Sequence, residues 1–104
     1  MTSCLRRCGN DERRRDTPGG ETTVQDLPGR LGHWEVGVPP SGPFDDRSFA
    51  FGNRRLGNPP GAPGLECVAG GPTLRFATPT WICLTGARAD ARLDGAPVPW
   101  AAPV

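Results

Sequence analysis

Seven residues of this sequence stand where acid–base or amide-binding chemistry could be done: Asp26, Arg30, Ser41, Gly42, Asp45, Asn53 and Glu66. Glu66 lies in the apolar run Leu65-Glu66-Cys67-Val68. A carboxylate partly buried among apolar neighbours has its neutral form favoured and can act as a general base; an outward-facing or Arg-paired Glu66 fits the same pattern. Asp26 and Arg30 flank Pro28-Gly29. That spacing suits either a substrate-facing pair or a turn held by the aspartate. Ser41, Gly42 and Asp45 lead into a helix start, where free backbone N–H groups can hold a carboxylate, or where Ser41 or Asp45 serves as the cap. Asn53 could bind an amide substrate from the inner face of that helix or bond to a neighbouring loop. Glu66 and Asp26 are therefore the candidate catalytic carboxylates, with Arg30, Ser41, Gly42, Asp45 and Asn53 as the candidate substrate-binding set. His33, the one histidine, stands beside Trp34 and reads as a packing residue.

These groups need elements to hold them. Gly37-Val38-Pro39-Pro40-Ser41-Gly42-Pro43 is a rigid loop, because Pro fixes φ and Gly admits unusual φ. Residues 45–56 predict one helix. Asp45 and Asp46 sit at its positive end, Arg54 and Arg55 at its negative end, with Gly57 and Pro59-Pro60 beyond. Phe49 and Leu56 share a face with Gly52 and Asn53 between them. Asn58 reads as a cap or turn residue after that helix. Thr22–Leu27, residues 65–69 and the alternating run 73–77 read as strands. Residues 81–84 read as a strand buried on both sides, and Trp34, Val36 and Val38 at every second position as a short half-buried strand. Asp94-Gly95 signals a tight hairpin. Pro18-Gly19-Gly20 is a turn, and residues 101–104 carry no signal. The count is five or six short strands and one helix.

Composition bounds the class. At 104 residues the chain is one small domain. Net charge is +1, with no concentrated basic excess, which argues against nucleic acid as partner. No apolar run reaches membrane-spanning length and the N-terminus lacks a signal-peptide core, so the expected location is the cytoplasm and no membrane partner is expected. Cys67 and Cys83 lie in apolar strands and Cys4 and Cys8 in a polar start. One histidine and this spacing do not make a zinc site, so no metal is expected. Residues 1–16 are Arg-rich and poor in apolar anchors, which predicts a disordered polar tail.

Beyond the residue chemistry, several motifs fall in order along the chain. They are Thr22-Thr23-Val24-Gln25-Asp26, Gly29-Arg30, Gly37-Val38-Pro39, Ser41-Gly42-Pro43 with Asp45, Asn53 and Leu56-Gly57-Asn58. Leu65-Glu66, Gly71-Pro72-Thr73-Leu74-Arg75-Phe76, Leu84-Thr85-Gly86-Ala87 and Leu93-Asp94-Gly95 with Pro97-Val98-Pro99 continue the series. Together they resemble the carboxyltransferase domain of the allophanate hydrolase subunit 2 family. Pro28, His33-Trp34 and Pro39-Pro40 are closer to its urea carboxylase branch. Gly52, Phe44 and Arg55 depart from the residues usual in that family.

The resemblance implies a partial cyclophilin-like β-barrel, mainly β with one short helix. Residues 17–104 would be the N-terminal part of a carboxyltransferase domain, truncated on its C-terminal side. It implies transfer of a carboxyl group from carboxybiotin to urea, giving allophanate. Biotin would be carried on another domain or subunit, since this chain has no Lys to bear it. ATP would be used by a separate biotin carboxylase domain. The implied partners are the biotin carboxylase and biotinyl domains, together with a small urea-like substrate. Two alternatives stay open: a stand-alone protein of the same family that works as one subunit of a 5-oxoprolinase, and a non-catalytic interaction module or gene remnant without activity of its own.

Overall fold

Local sequence decides helix α1 (Asp46–Arg55). Asp45 caps it, its side chain accepting a hydrogen bond from the backbone N–H of Ser48 at 3.0 Å. At the other end Gly57 takes a left-handed φ of 74°. Its N–H donates to Arg54 O at 3.0 Å, and the Asn58 N–H donates to Asn53 O at 2.9 Å. These two bonds are a Schellman closure. Phe49, Gly52 and Asn53, one helical turn apart, form the buried face, and Leu56 continues it.

The computed structural model describes residues 2–7, 13–17, 22–37, 40–68 and 70–104, the first two stretches as backbone paths only. The Pro18-Gly19-Gly20 turn and the Val38-Pro39 part of the rigid loop lie outside them. The described residues form eight strands: β1 (Thr2–Arg7), β2 (Arg13–Thr17), β3 (Thr22–Gln25), β4 (Gly64–Cys67), β5 (Thr73–Phe76), β6 (Thr80–Thr85), β7 (Arg92–Leu93) and β8 (Ala96–Pro97). The main sheet runs β3-β4-β1-β6, every described pair antiparallel, while β2-β5 and β7-β8 form two-stranded sheets. Among the described residues the fold is thus mainly β with one α-helix, as expected, and its strands do not close into a barrel. Helix α1 packs on β1 and β6. Among the described residues, the buried apolar side chains are Phe49, Leu56, Leu65, Cys67, Cys83 and Leu84.

Three expectations are corrected. The disordered tail expected over residues 1–16 is strand at 2–7 and 13–17. The tail reading weighed side-chain apolarity, whereas β1 contributes backbone. It fills the gap between β4 and β6 and pairs the N–H and C=O groups of both. The half-buried strand expected at Trp34, Val36 and Val38 is instead a single 3₁₀ turn, Trp34–Val36, with Trp34 68% and Val36 74% exposed; Val38 lies outside the described residues. Finally, β6 is buried only in its second half, at Cys83, Leu84 and Thr85, and Trp81 is half exposed.

The hairpin at Asp94-Gly95 forms as predicted, with φ of 50° and 85° at the two turn residues. The segment after it, silent in the sequence, runs back along β6. The Ile82 N–H donates to Val104 O and the Val104 N–H to Ile82 O, both at 3.0 Å, and the Ala101 N–H donates to Leu84 O at 2.7 Å. No helix among the described residues is long and apolar enough to cross a membrane.

Candidate functional site

The helix start and β4 meet through one carboxylate. Glu66, half-buried in β4, accepts from the Phe44 N–H through both oxygens at 2.9 Å. Its Oε2 also accepts from the Asp45 N–H at 3.3 Å. The free N–H groups expected to hold an anion at the helix start are therefore occupied by the protein's own Glu66. Beside it, hydrogen bonds from Ser48, through its side chain and its backbone, hold the Asp45 carboxyl below the usual aspartate range.

The loop before the helix is braced by a turn. Arg30 and Ser41 form an antiparallel bridge, the Arg30 N–H donating to Ser41 O at 2.7 Å and the Ser41 N–H to Arg30 O at 3.0 Å. Gly29 must be glycine there. Its φ is +79°, and a Cβ would lie 1.9 Å from Ser41 O. Gly42 packs against the backbone of Pro28 and Gly29. The Leu27 N–H in turn donates to Gly61 O at 3.2 Å, which ties the turn to the loop after α1.

Asn53 positions that loop. It is fully buried, and its amide donates to Pro60 O at 3.1 Å and Ala62 O at 2.8 Å while its Oδ1 accepts from Asn58 Nδ2 at 3.2 Å. Both amide hydrogens are committed to backbone carbonyls, the loop-bonding role of the two expected for it. Thr85 closes the other side of the helix start, its buried hydroxyl donating to Ser48 O at 2.8 Å.

These contacts leave a cleft of about 390 Å³ lined by Phe44, Asp45, Asp46, Arg47, Glu66 and Cys67 with Val68, Gly86 and Ala87. Of the expected residues it holds Asp45 and Glu66. Arg30, Ser41, Gly42 and Asn53 do not line it, and Asp26 is exposed on the braced turn, outside the cleft. Sequence reasoning missed Arg47 and the Gly86-Ala87 wall. The signal was available: Arg47 is the lone cation in an acidic first turn, and Gly86-Ala87 ends the motif Leu84-Thr85-Gly86-Ala87.

A wider cleft of about 710 Å³ on the other flank of α1 shares Asp46, Arg47 and Gly86 and adds Phe51, Arg54 and Trp100. A third, about 490 Å³, lies among β5, β6 and the β7–β8 hairpin and contains none of the expected residues. The 390 Å³ cleft is the candidate site, because of the three clefts it alone brings two of the expected acids, Asp45 and Glu66, together. Three carboxylates and one guanidinium make it rich in acceptors, suited to a small ligand rich in N–H donors. It does not suit the carboxyl group of carboxybiotin as it stands, since Glu66 fills the N–H cradle and adds negative charge beside it.

Comparison with known proteins agrees with this architecture. Over 87 residues, 84% of the chain, it is 46% identical to urea amidolyase of Saccharomyces cerevisiae, of which it covers 5%. Over 76 residues it is 42% identical to a 5-oxoprolinase subunit of Escherichia coli, covering 73% of this chain and 24% of that protein. The crystal structure of the K. lactis urea amidolyase superposes on 88% of the chain, and on 6% of its own length, with a TM-score of 0.84 at 42% identity. The chain thus spans a small part of these relatives' length. Residues 36–104, which carry α1, Glu66 and both walls of the cleft, match the model of the carboxyltransferase domain, subdomains A and B, and the chain belongs to that family.

Proposed function

We propose that this chain is part of a carboxyltransferase that delivers a carboxyl group to urea, giving allophanate. The observation that carries this reading is the extended similarity to urea amidolyases, higher in identity than that to the 5-oxoprolinase subunit. The chemistry of the cleft supports it. Urea offers four N–H donors and one acceptor, and the cleft offers the carboxylates of Asp45, Asp46 and Glu66 with one guanidinium, Arg47. In this reading Glu66 is fixed by the Phe44 and Asp45 N–H groups and orients a urea N–H with its remaining lone pairs. Asp26, on the turn outside the cleft, stays a candidate base for a substrate that reaches beyond it. Biotin and ATP chemistry belong to other domains, the biotin carboxylase and biotinyl domains being the proposed partners, and the proposed location is the cytoplasm.

The test is a graft. Residues 36–104 replace the matching segment of the Saccharomyces cerevisiae urea amidolyase, and in a second graft that of the Escherichia coli 5-oxoprolinase subunit. Urea-dependent fixation of labelled bicarbonate by the first graft, with no 5-oxoproline-dependent turnover by the second, is the expected result. The reverse pattern would assign the chain to ring opening instead.

A further inference from the structure

Two of the four cysteines stand opposite each other in the register of strands that no sequence motif joins. β1 pairs antiparallel with β6 in a continuous register in which Cys4 is the Cα partner of Cys83. Directly opposed residues of an antiparallel pair lie on one face of the sheet with Cα atoms about 4.5–5.5 Å apart. Disulfides span Cα separations of about 4.4–6.8 Å. The register alone therefore puts Cys4 and Cys83 within bonding range. Cys83 is a free thiol, fully buried, and it packs with Leu56 under α1.

We propose that Cys4 and Cys83 are a thiol pair that oxidises to a disulfide, covalently latching the N-terminal strand to β6. The oxidant is a small disulfide of the glutathione class. The Cys4 thiolate attacks one glutathione sulfur, breaking its S–S bond and releasing one glutathione thiolate. The Cys83 thiolate then attacks the Cys4 sulfur of the mixed disulfide and releases the second. Two protein thiols lose two protons and two electrons, and one oxidised glutathione becomes two reduced ones.

The division of labour follows from burial. Desolvation pushes the Cys83 thiol above its usual range, so Cys83 is the poorer first attacker and the natural resolving partner. Because Cys83 is fully buried beside Leu56 at the end of α1 in the assembled sheet, the first step occurs while β1 is undocked and the second as it docks. The bond is a latch that records whether β1 has reached its slot. Cys67, the other buried cysteine, lies one residue beyond the β1–β4 register, which ends at Thr2 opposite Glu66.

The sequence makes the test direct, because trypsin places the four cysteines in four peptides, 1–6, 8–13, 56–75 and 76–88. The full chain is incubated with oxidised glutathione under native conditions, alkylated, digested and analysed by mass spectrometry without reduction. The expected product is peptide 1–6 joined to 76–88. It disappears with reductant and in Cys4→Ser, persists in Cys8→Ser and Cys67→Ser, and raises Tm by about 10 °C. Predominant joining of 8–13 or 56–75 to 76–88, the same mixture of pairs in native and denatured protein, or no joined peptide would each overturn the proposal. The wild-type digest decides the pairing even if a cysteine variant fails to fold.

Discussion

The helix start and the 31–37 loop sit close together in sequence and solve opposite problems. At the helix start, the cap and the N–H groups of Phe44 and Asp45 are answered by carboxylates of this chain, Asp45 and Glu66. In the loop, Leu31 and, on the 3₁₀ turn, Trp34 and Val36 all face solvent. In the first region the polar groups are internally satisfied, though the Phe44 side chain is exposed; in the second the apolar side chains are all uncovered. The difference lies in the range of the forces. A cap or a carboxylate meeting N–H groups is settled within a few ångströms by residue type. An apolar residue is settled only by what lies opposite, which a short run of sequence does not contain.

That contrast can be broken at its strongest point first. Asn53→Ala removes two donors to loop carbonyls, made from a fully buried side chain, and the partner of Asn58, and we expect a loss of about 2–3 kcal/mol by urea denaturation. A loss under about 0.5 kcal/mol would mean that the loop holds without its clamp and that the polar region is not internally braced. Glu66→Gln keeps one acceptor and loses a charge and an oxygen. The expected cost is about 1 kcal/mol, with increased hydrogen exchange at the Phe44 and Asp45 amides, and unchanged exchange there would remove Glu66 from the cradle.

Asp45→Ala should cost about 1 kcal/mol at neutral pH. Its sign with pH is fixed by the lowered carboxyl. The folded form binds its proton more weakly than the unfolded one, so the contribution is complete above the unfolded value and is lost as pH falls through the folded one. Wild type and variant should therefore converge in stability below about pH 4, and a gap constant down to acid would contradict the cap's charge. In the other region, Trp34→Ser with Val36→Ser should change stability by less than about 0.5 kcal/mol, because neither side chain is buried. Self-association measured by light scattering should fall. A large loss of stability would show the loop to be packed after all.

Legibility followed the same division. The helix was readable to within a residue at both ends, because Asp45, Gly57 and the charge order are local signals. The hairpin at Asp94-Gly95 and the strands Thr73–Phe76 and Gly64–Cys67 were readable for the same reason. The alternation of Trp34, Val36 and Val38 misled because a period of two describes a half-buried strand and an exposed loop equally well until a partner strand is found. β1 was invisible because its contribution is backbone pairing, to which its side-chain types give no clue. In the site, Glu66 was found as a residue, but the N–H groups it meets lie 21 and 22 residues upstream and only the folded chain joins them.

The central place of β1 also sets an order in time. Its partners in β6 lie about 75 residues further along the chain, so at 5–20 residues per second of synthesis the strand made first waits roughly 4–15 s for the strand that receives it. Helix α1 and the β7–β8 hairpin close locally and need no such wait. The four-stranded sheet is therefore a structure of high contact order assembled around an early-made piece that docks late. Until it docks, the facing edges of β4 and β6 are open to any other extended chain in the cell.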